Sequence, residues 1–312
     1  MASYTTAADL DLPLIEARYG LTALELVPMD GGMANSSFLA TSPDGRFVLT
    51  VLDNHGADGA ARLAALTEEL LRRGAPTSEL VPTLDGGRVT ETHGRPVILK
   101  RWLSGRTLPA LPPESLRAAG RLLGELHGIP TAGLALPVAT RRLSADHLRA
   151  VGTFPDRRFA HWLTARLDRL GGTAAEGPAD DARCGFVHGD FHADNIVVRP
   201  DGTLAVLDWE TATVDDQLLD VGMALVGHAR EGEGLSPARA ETFVAGYRQV
   251  VDLTESDLRR LPSAVEYAAL IIAFHRYNRH HVRFPDPAKA HLFQQMTRVA
   301  ETADALSFTR RR

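Results

Sequence analysis

One cysteine, two lysines and no long apolar run set the first limits on this chain of 312 residues. With Cys184 alone, no disulfide can close within the chain, and a reducing compartment is expected. Lying beside an apolar strand, that cysteine is expected in the core, without a catalytic role. The best stretch for a membrane span, Ala268 to Phe274, falls far short of the roughly 18 apolar residues a crossing needs. Positive charge is in deficit. The 34 Lys and Arg against 39 Asp and Glu leave a formal net charge of −5, which argues against general binding of nucleic acid or of an anionic membrane. The opening residues MASYTTAADLDLPL show neither a basic nor an apolar stretch of the secretory kind, so a cytoplasmic location is expected. Repeats and low-complexity tracts are missing too. Because 34 basic residues less two lysines leaves 32 arginines, a catalytic lysine could stand only at Lys100 or Lys289.

What is present suits an ordinary folded protein, 44% hydrophobic and 23% charged, long enough for one large domain or two modest ones. The first third reads as strands. LELVPMD is followed by Phe38 to Thr41 and Phe47 to Leu52 around the turn SPDG, where Pro sets φ and Gly accepts a positive one. A helix is expected over Asp58 to Arg73, with Leu63, Leu66, Leu70 and Leu71 on one face and Gly74 as a stop. Then come LVPTLDG, RVTET and VILKRWL. Without a βαβ alternation this order predicts an α+β fold built on an antiparallel sheet. From Ser104 the pattern turns helical: ESLRAAGRLLGELHGI, Ser144 to Leu170, Asp215 to Ala229, Pro237 to Val251, Glu255 to His281 and Pro285 to Ala305, with GGTAAEGPADD as a loop. The expected division is a sheet-rich lobe over 1–103 and a larger, mainly helical lobe over 104–312 that carries one inserted hairpin, NIVVRPDGTLAVLDW.

Chemistry concentrates at HGDFHADN, residues 188–195, and at LDWE, residues 207–210, among apolar, β-branched neighbours. One reading is a hydrolytic metal cluster, since His188, Asp190, His192 and Asp194 alternate and would share a strand face. A solvated acidic loop is the plain reading, but it explains neither the spacing nor the flanking strands. The third is a phosphoryl-transfer loop: His-X-Asp, four residues, Asn, then a hairpin delivering an Asp that binds Mg²⁺. Asp190, Asn195 and Asp208 match it in type, order and spacing. Asp190 would accept the proton of an attacking hydroxyl, and Asn195 and Asp208 would supply hard oxygens to Mg²⁺. His188 is expected to hold the loop through backbone hydrogen bonds. Glu210, two residues beyond Asp208 on a strand, would point to the same side and serve a second metal.

These motifs resemble those of the aminoglycoside phosphotransferase and choline kinase superfamily, whose members share a protein-kinase-like two-lobed fold. The segments GGMANSSFLATSPDGRFVLTVLD, RPVILKRWLSGRTL and ESLRAAGRLLGELH are most similar to type II homoserine kinases, whereas His192 and the LDWE ending look like the wider antibiotic and small-molecule kinases. The resemblance implies that ATP or GTP is the donor, that residues 1–103 bind the nucleotide, and that Gly31, Gly32, Asn35 and Ser36 lie in a loop over its phosphates. It also implies that the backbone from Lys100 through Trp102 to Leu103 faces the adenine. One departure stands out. Most relatives carry a phosphate-binding lysine on the third strand, where RFVLTVLD has Thr50, and neither lysine of this chain is expected to replace it, since Lys100 would lie at the hinge and Lys289 near the C-terminus. A charge contact at roughly 4 Å and an effective dielectric of about 20 amounts to about 4 kcal/mol, so losing it uncompensated would cost about a thousandfold. Either the chain is a nucleotide-binding pseudokinase, or it manages without that lysine, as the VLT pattern common in type II homoserine kinases implies.

The implied acceptor is a small-molecule hydroxyl, with a homoserine-like amino acid favoured and an antibiotic or other natural product as the alternative; a monomer or a homodimer is expected. Candidate acceptor contacts are His192, Asp194, Trp209 and Glu210, with the run HRYNRHH from His275. A carboxylate-bearing acceptor would want an arginine such as Arg276 or Arg279, and a cationic one an acidic wall such as Asp215, Asp216 and Asp220. Of these three, Asp220 is expected instead to cap backbone N–H groups of the catalytic loop.

Overall fold

The computed structural model describes residues 5–29, 35–136, 141–171 and 183–308. The chain divides into two compact units. One holds Met1–Thr107, Gly133–Pro137 and Ile196–Glu210, and the other holds Leu108–Ala132, Val138–Asn195 and Thr211–Arg312.

The first unit is built on a five-stranded antiparallel sheet in the order β1-β2-β3-β5-β4. Its strands are β1 (Glu25–Pro28), β2 (Ser36–Ser42), β3 (Gly45–Val51), β4 (Val89–Thr92) and β5 (Arg95–Arg101). Alternation along the strands sends Phe38, Ala40, Phe47, Leu49, Val51, Val97 and Leu99 into one core, together with Ile15 and Tyr19 of α1 (Leu12–Tyr19). That helix was not foreseen. Its signals are terminal rather than periodic: the Asp11 side chain accepts the Leu14 N–H, and Gly20 ends it at φ 67°. On the opposite sheet face Ile98 packs with Ala60 and Ala64 of α2 (Ala57–Arg72). LVPTLDG adds no strand to the sheet and makes a single bridge from Leu80 to Lys100. Pro82 has no N–H for a ladder, and Thr83 turns back on Gly86 and Gly87 through backbone bonds of 2.8 and 2.9 Å.

The hairpin of β7 (Ile196–Val198) and β8 (Leu204–Val206) belongs to this unit, not to the helical one where the sequence order placed it. Backbone bonds decide this: Arg106 and Val198 form an antiparallel bridge, and the Val206 N–H donates to Pro76 O at 2.7 Å. The unit accordingly runs to Thr107 rather than ending at residue 103. Gly105, at φ 144°, permits the approach, since a Cβ there would stand 2.5 Å from Val198 O.

The second unit is mainly helical: α3 (Pro113–His127), α4 (Ala145–Val151), α5 (Arg157–Arg169), α6 (Gln217–His228), α7 (Pro237–Tyr247), α8 (Glu255–Tyr277) and α9 (Leu292–Thr302). The expected helix over Ser144 to Leu170 is two, because Pro155 interrupts it and Asp156 caps a new start by accepting the Phe159 N–H. A two-stranded sheet of β6 (Cys184–Val187) and β9 (Thr213–Asp216) pairs Cys184 with Asp216, so the segment expected as helix from Asp215 begins as strand. Cys184 is exposed rather than in the core, because the inward-facing part of β6 starts only at Phe186. From Val265 to Phe274 every residue of α8 is buried, which makes it the central helix. Among the described residues no helix is long and apolar enough to cross a membrane.

Helices α3 and α7 approach so closely that a Cβ on Gly120 would lie 1.9 Å from Phe243 O, and one on Gly246 1.9 Å from Arg117 O. Backbone carbonyls cannot swing away as a flexible side chain can. We expect Gly246→Ala to destabilise the fold by about 3 kcal/mol despite alanine's better helix propensity. A thermal melt equal to wild type would show that the two helices can part at no cost.

Candidate active site

The catalytic-loop motif leaves β6 as a tightly tied turn. Asp220, in the first turn of α6, takes the backbone N–H of His188 on Oδ2 and that of Gly189 on Oδ1, both at 2.8 Å. His127 Nε2 stands 3.0 Å from the same Oδ2. Gly189 has φ 79°, and a Cβ there would meet Thr211 O at 2.7 Å, so the turn is open only to glycine. His188 is fully buried, and its Nδ1 accepts the Asp190 N–H at 3.2 Å. The loop-holding tasks expected of His188 and Asp220 are both met.

Asp190 emerges at the end of this turn with its side chain about a third exposed (30%). Asn195 fastens it from below, donating from Nδ2 to Asp190 O at 2.9 Å and to Oδ2 at 3.2 Å. His192 Nε2 stands 3.3 Å from Oδ1, and an Arg141 guanidinium nitrogen 3.5 Å from it. Burial pulls the Asp190 carboxyl upward, but the His192 hydrogen bond and the charges of His192, Arg141 and His188 outweigh it and hold the group below the usual carboxylate range. Asp190 is therefore an ionised acceptor at neutral pH. Phosphoryl transfer asks for alignment of the hydroxyl more than for a strong base, and a carboxylate held on two sides supplies that. Room for His192 comes from Gly227 in α6, where a Cβ would reach its Nδ1 at 2.5 Å.

In the first unit, Asp208 and Glu210 follow β8. They do not lie on a strand as expected: Asp208 has φ 62°, a strained value for a non-glycine residue, and its Oδ1 accepts the Glu210 N–H at 3.2 Å. The two carboxylates are thus set by a turn, and side-chain alternation does not apply. Asp208 is exposed. Glu210 accepts a hydrogen bond from Asn35 Nδ2 and stands 3.6 Å from His55 Nε2. Burial raises the Glu210 carboxyl, but the bonds from His55 and Asn35 and the charges of His55 and Lys100 bring it below its ordinary value.

Other expected residues fall in varied places. Gly31 and Gly32 lie outside the described residues. Ser36 is buried and already engaged: its N–H and hydroxyl both donate to Asp53 Oδ2, at 2.9 and 2.6 Å. Thr50 is buried with its hydroxyl 3.5 Å from that of Ser37. Lys100 lies within β5, flanked by Val48 on one side and Leu80 on the other, so its backbone is inside a sheet and cannot face an adenine. The Trp102 N–H donates to Arg46 O at 3.2 Å, and the Arg46 guanidinium sits 5.3 Å from the centre of its ring. Trp209 is buried, with its indole N–H on Thr77 Oγ1 at 3.0 Å. Arg276 is spent on α9, donating to Leu292 O at 3.1 Å and Gln295 Oε1 at 3.3 Å.

Among the described residues no three His, Cys, Asp or Glu side chains converge as a metal cage, which sets aside the hydrolytic cluster. Mg²⁺ has no need of such a cage, since it takes one or two protein oxygens along with phosphates and water. An exposed aspartate such as Asp208 suits that demand. Glu210, engaged by Asn35 and His55, suits it less.

A model of the phosphotransferase enzyme family matches residues 25–261. The chain belongs to that family. It is a small-molecule phosphotransferase with an alcohol group as acceptor. Among curated proteins it is 26% identical over 263 residues to a homoserine kinase of Methylobacillus flagellatus, covering 82% of this chain and 80% of that one. Its fold is that of a microcompartment-associated aminopropanol kinase (TM-score 0.71, 20% identity, 94% of this chain and 97% of that one). It is also that of an amicoumacin kinase in complex with AMP-PNP, Ca²⁺ and Ami (TM-score 0.68, 16% identity, 97% and 96%).

Three neighbours of the motif residues escaped the sequence reading: Arg141 beside Asp190, His55 beside Glu210, and the side chain of Lys100. Each is far from the motif in sequence. None had a signal within its own segment: the face that Lys100 shares with Thr50 is fixed by the pairing of β3 with β5.

Proposed function

We propose that the chain phosphorylates the hydroxyl of a small amino-acid-like metabolite, homoserine being favoured, with ATP or GTP as donor and Mg²⁺. In this reading Asp190 accepts the hydroxyl proton, while Asn195 and Asp208 would be the oxygen donors for Mg²⁺, which would supply positive charge against the phosphates. Gly31, Gly32 and Asn35 remain candidates for the phosphate loop. Ser36 and Trp209, satisfied within the fold, serve structure.

The observation that carries the reading is Arg141. Its guanidinium stands next to the base, 3.5 Å from Asp190 Oδ1, and its buried Nε has no hydrogen-bond partner among the described residues. An arginine with donors to spare beside the reacting hydroxyl fits an acceptor that carries a carboxylate. The acidic wall that a cationic antibiotic would want is already committed. Asp215 accepts from Arg142 Nε at 2.8 Å, Asp216 caps α6 and pairs with Arg260 at 3.2 Å, and Asp220 holds the loop. The homoserine kinase of Methylobacillus flagellatus supports the same choice.

The test is product detection by mass with Mg²⁺ and ATP or GTP against homoserine, choline, ethanolamine, hydroxylysine and aminoglycosides. Turnover of homoserine supports the reading, and turnover of an aminoglycoside alone overturns it. Arg141→Met should raise KM for homoserine about ten- to a hundredfold, the worth of a charged hydrogen bond. Turnover of 3-aminopropan-1-ol, which is homoserine without its carboxylate, should change little. Equal losses on both acceptors would remove Arg141 from substrate recognition.

A further inference from the structure

The register of the sheet sets Thr50 of β3 opposite Ile98 of β5, and Val48 opposite Lys100. Residues two apart on a strand share a face, so Lys100 lies on the face of Thr50, one pair further along. Such diagonal neighbours have Cβ atoms within about 7–8 Å, well inside the reach of a lysine stem. On the same face stand Ser37, paired with Thr50, and Asn35, two residues before Ser37. Asn35 bonds Glu210, and Glu210 together with Asp208 exerts an electrostatic pull on Lys100. Lys100 makes no ion pair among the described residues, and Glu210 already has His55. A lysine of intermediate exposure under the pull of two carboxylates, without an ion pair among the described residues, is poised for an anion that arrives from outside the protein.

We infer that the Lys100 ammonium, reaching from β5 across the face of Thr50, is the cationic contact to the nucleotide's phosphates in this chain. The inference rests on the kinase reading and deepens it: the charge missing from β3 is supplied from the neighbouring strand. Thr50 itself is buried and uncharged.

Binding of ATP and of adenosine, measured by calorimetry on the intact protein with Mg²⁺, tests this apart from turnover. Lys100→Met should weaken ATP roughly thirtyfold or more, by the loss of one close charge contact, and leave adenosine within about twofold. Lys100→Arg should keep most of the ATP affinity. Adding Thr50→Lys to the Lys100→Met variant should restore it, since the new ammonium starts from the adjacent position on the same face. Unchanged ATP affinity in Lys100→Met overturns the assignment. So does a parallel loss for ATP and adenosine with a lowered melting temperature, which would make Lys100 a structural counter-charge to Glu210. A wild-type protein that binds ATP but phosphorylates none of the acceptors would count against the proposed acceptor class alone. A wild type that binds no nucleotide would sink both readings.

Discussion

Asp190→Asn is expected to lower kcat at least about a hundredfold while leaving the melting temperature close to that of wild type. The side chain is isosteric, and its surroundings are external to it: Asp220 secures the turn through His188 and Gly189, and Asn195 still reaches Asp190 O. What changes is that an amide has no lone pair basic enough for the hydroxyl proton. The charge that balances Arg141 and His192 goes with it, so some loss of acceptor alignment adds to the effect. Because His192 and Arg141 keep the Asp190 carboxyl below the usual range, wild-type kcat should show no titration of this group above about pH 4. Undiminished turnover in the variant would refute the role, and so would a loss traced to unfolding.

Much of this was legible because it is local. His188, Gly189, Asp190 and Asn195 lie within eight residues, and their task depends on a turn that the same residues make. The antiparallel sheet was legible for a similar reason: Ser42 to Gly45 carry both the turn chemistry and the strand ends. Other features depended on partners distant in sequence. Leu80 to Gly86 has the apolar residues of a strand, yet Pro82 and the turn at Thr83 limit it to one bridge. Helix α1 is short and its pattern weak, so only Asp11 and Gly20 mark it. The hairpin β7–β8 follows the catalytic loop along the chain but bonds to Arg106 and Pro76, which no periodicity records.

Lys100 shows the limit most clearly. By position it reads as the end of a strand, where only its backbone would matter. The pairing of Thr50 with Ile98 turns its side chain toward the cluster of Asp208 and Glu210, and pairing is a property of two strands rather than of one. Arg141 and Arg276 make the same point in opposite directions. Both are arginines on a mainly helical unit, but one stands by Asp190 and the other is bound to Leu292 O and Gln295.

Asp220→Asn should be the most damaging single-atom exchange near the site, costing about 3 kcal/mol and lowering the melting temperature by roughly 6–12 °C. The carboxylate is 2% exposed and uses both oxygens: Oδ1 for the Gly189 N–H, Oδ2 for the His188 N–H and for His127 Nε2. An amide offers one oxygen. Whichever way it turns, its NH₂ faces donors, and at least one buried N–H is left unpaired. The strain spreads, because His127 Nδ1 is in turn 2.8 Å from the Tyr247 hydroxyl, so α3, α6 and α7 all end on this carboxylate. Turnover should fall as well, since Asp190 is aligned only while the Gly189 turn is held. A pH signature separates this from a mere packing defect. Burial raises the Asp220 carboxyl, but the His127 hydrogen bond, the charges of His127 and His188 and the His188 N–H outweigh it, so its pKa in the folded protein is lowered. The stability it contributes is then fully present above the unfolded value of about 3.9 and is lost as pH falls toward the folded one. Chemical denaturation from pH 7 down to 3 should show an acid loss of stability in wild type that is reduced in Asp220→Asn. Equal acid slopes with equal midpoints would mean that the loop is held without this carboxylate, by His188 Nδ1 on the Asp190 N–H and by the Thr211 hydroxyl, which donates to His188 O at 2.8 Å.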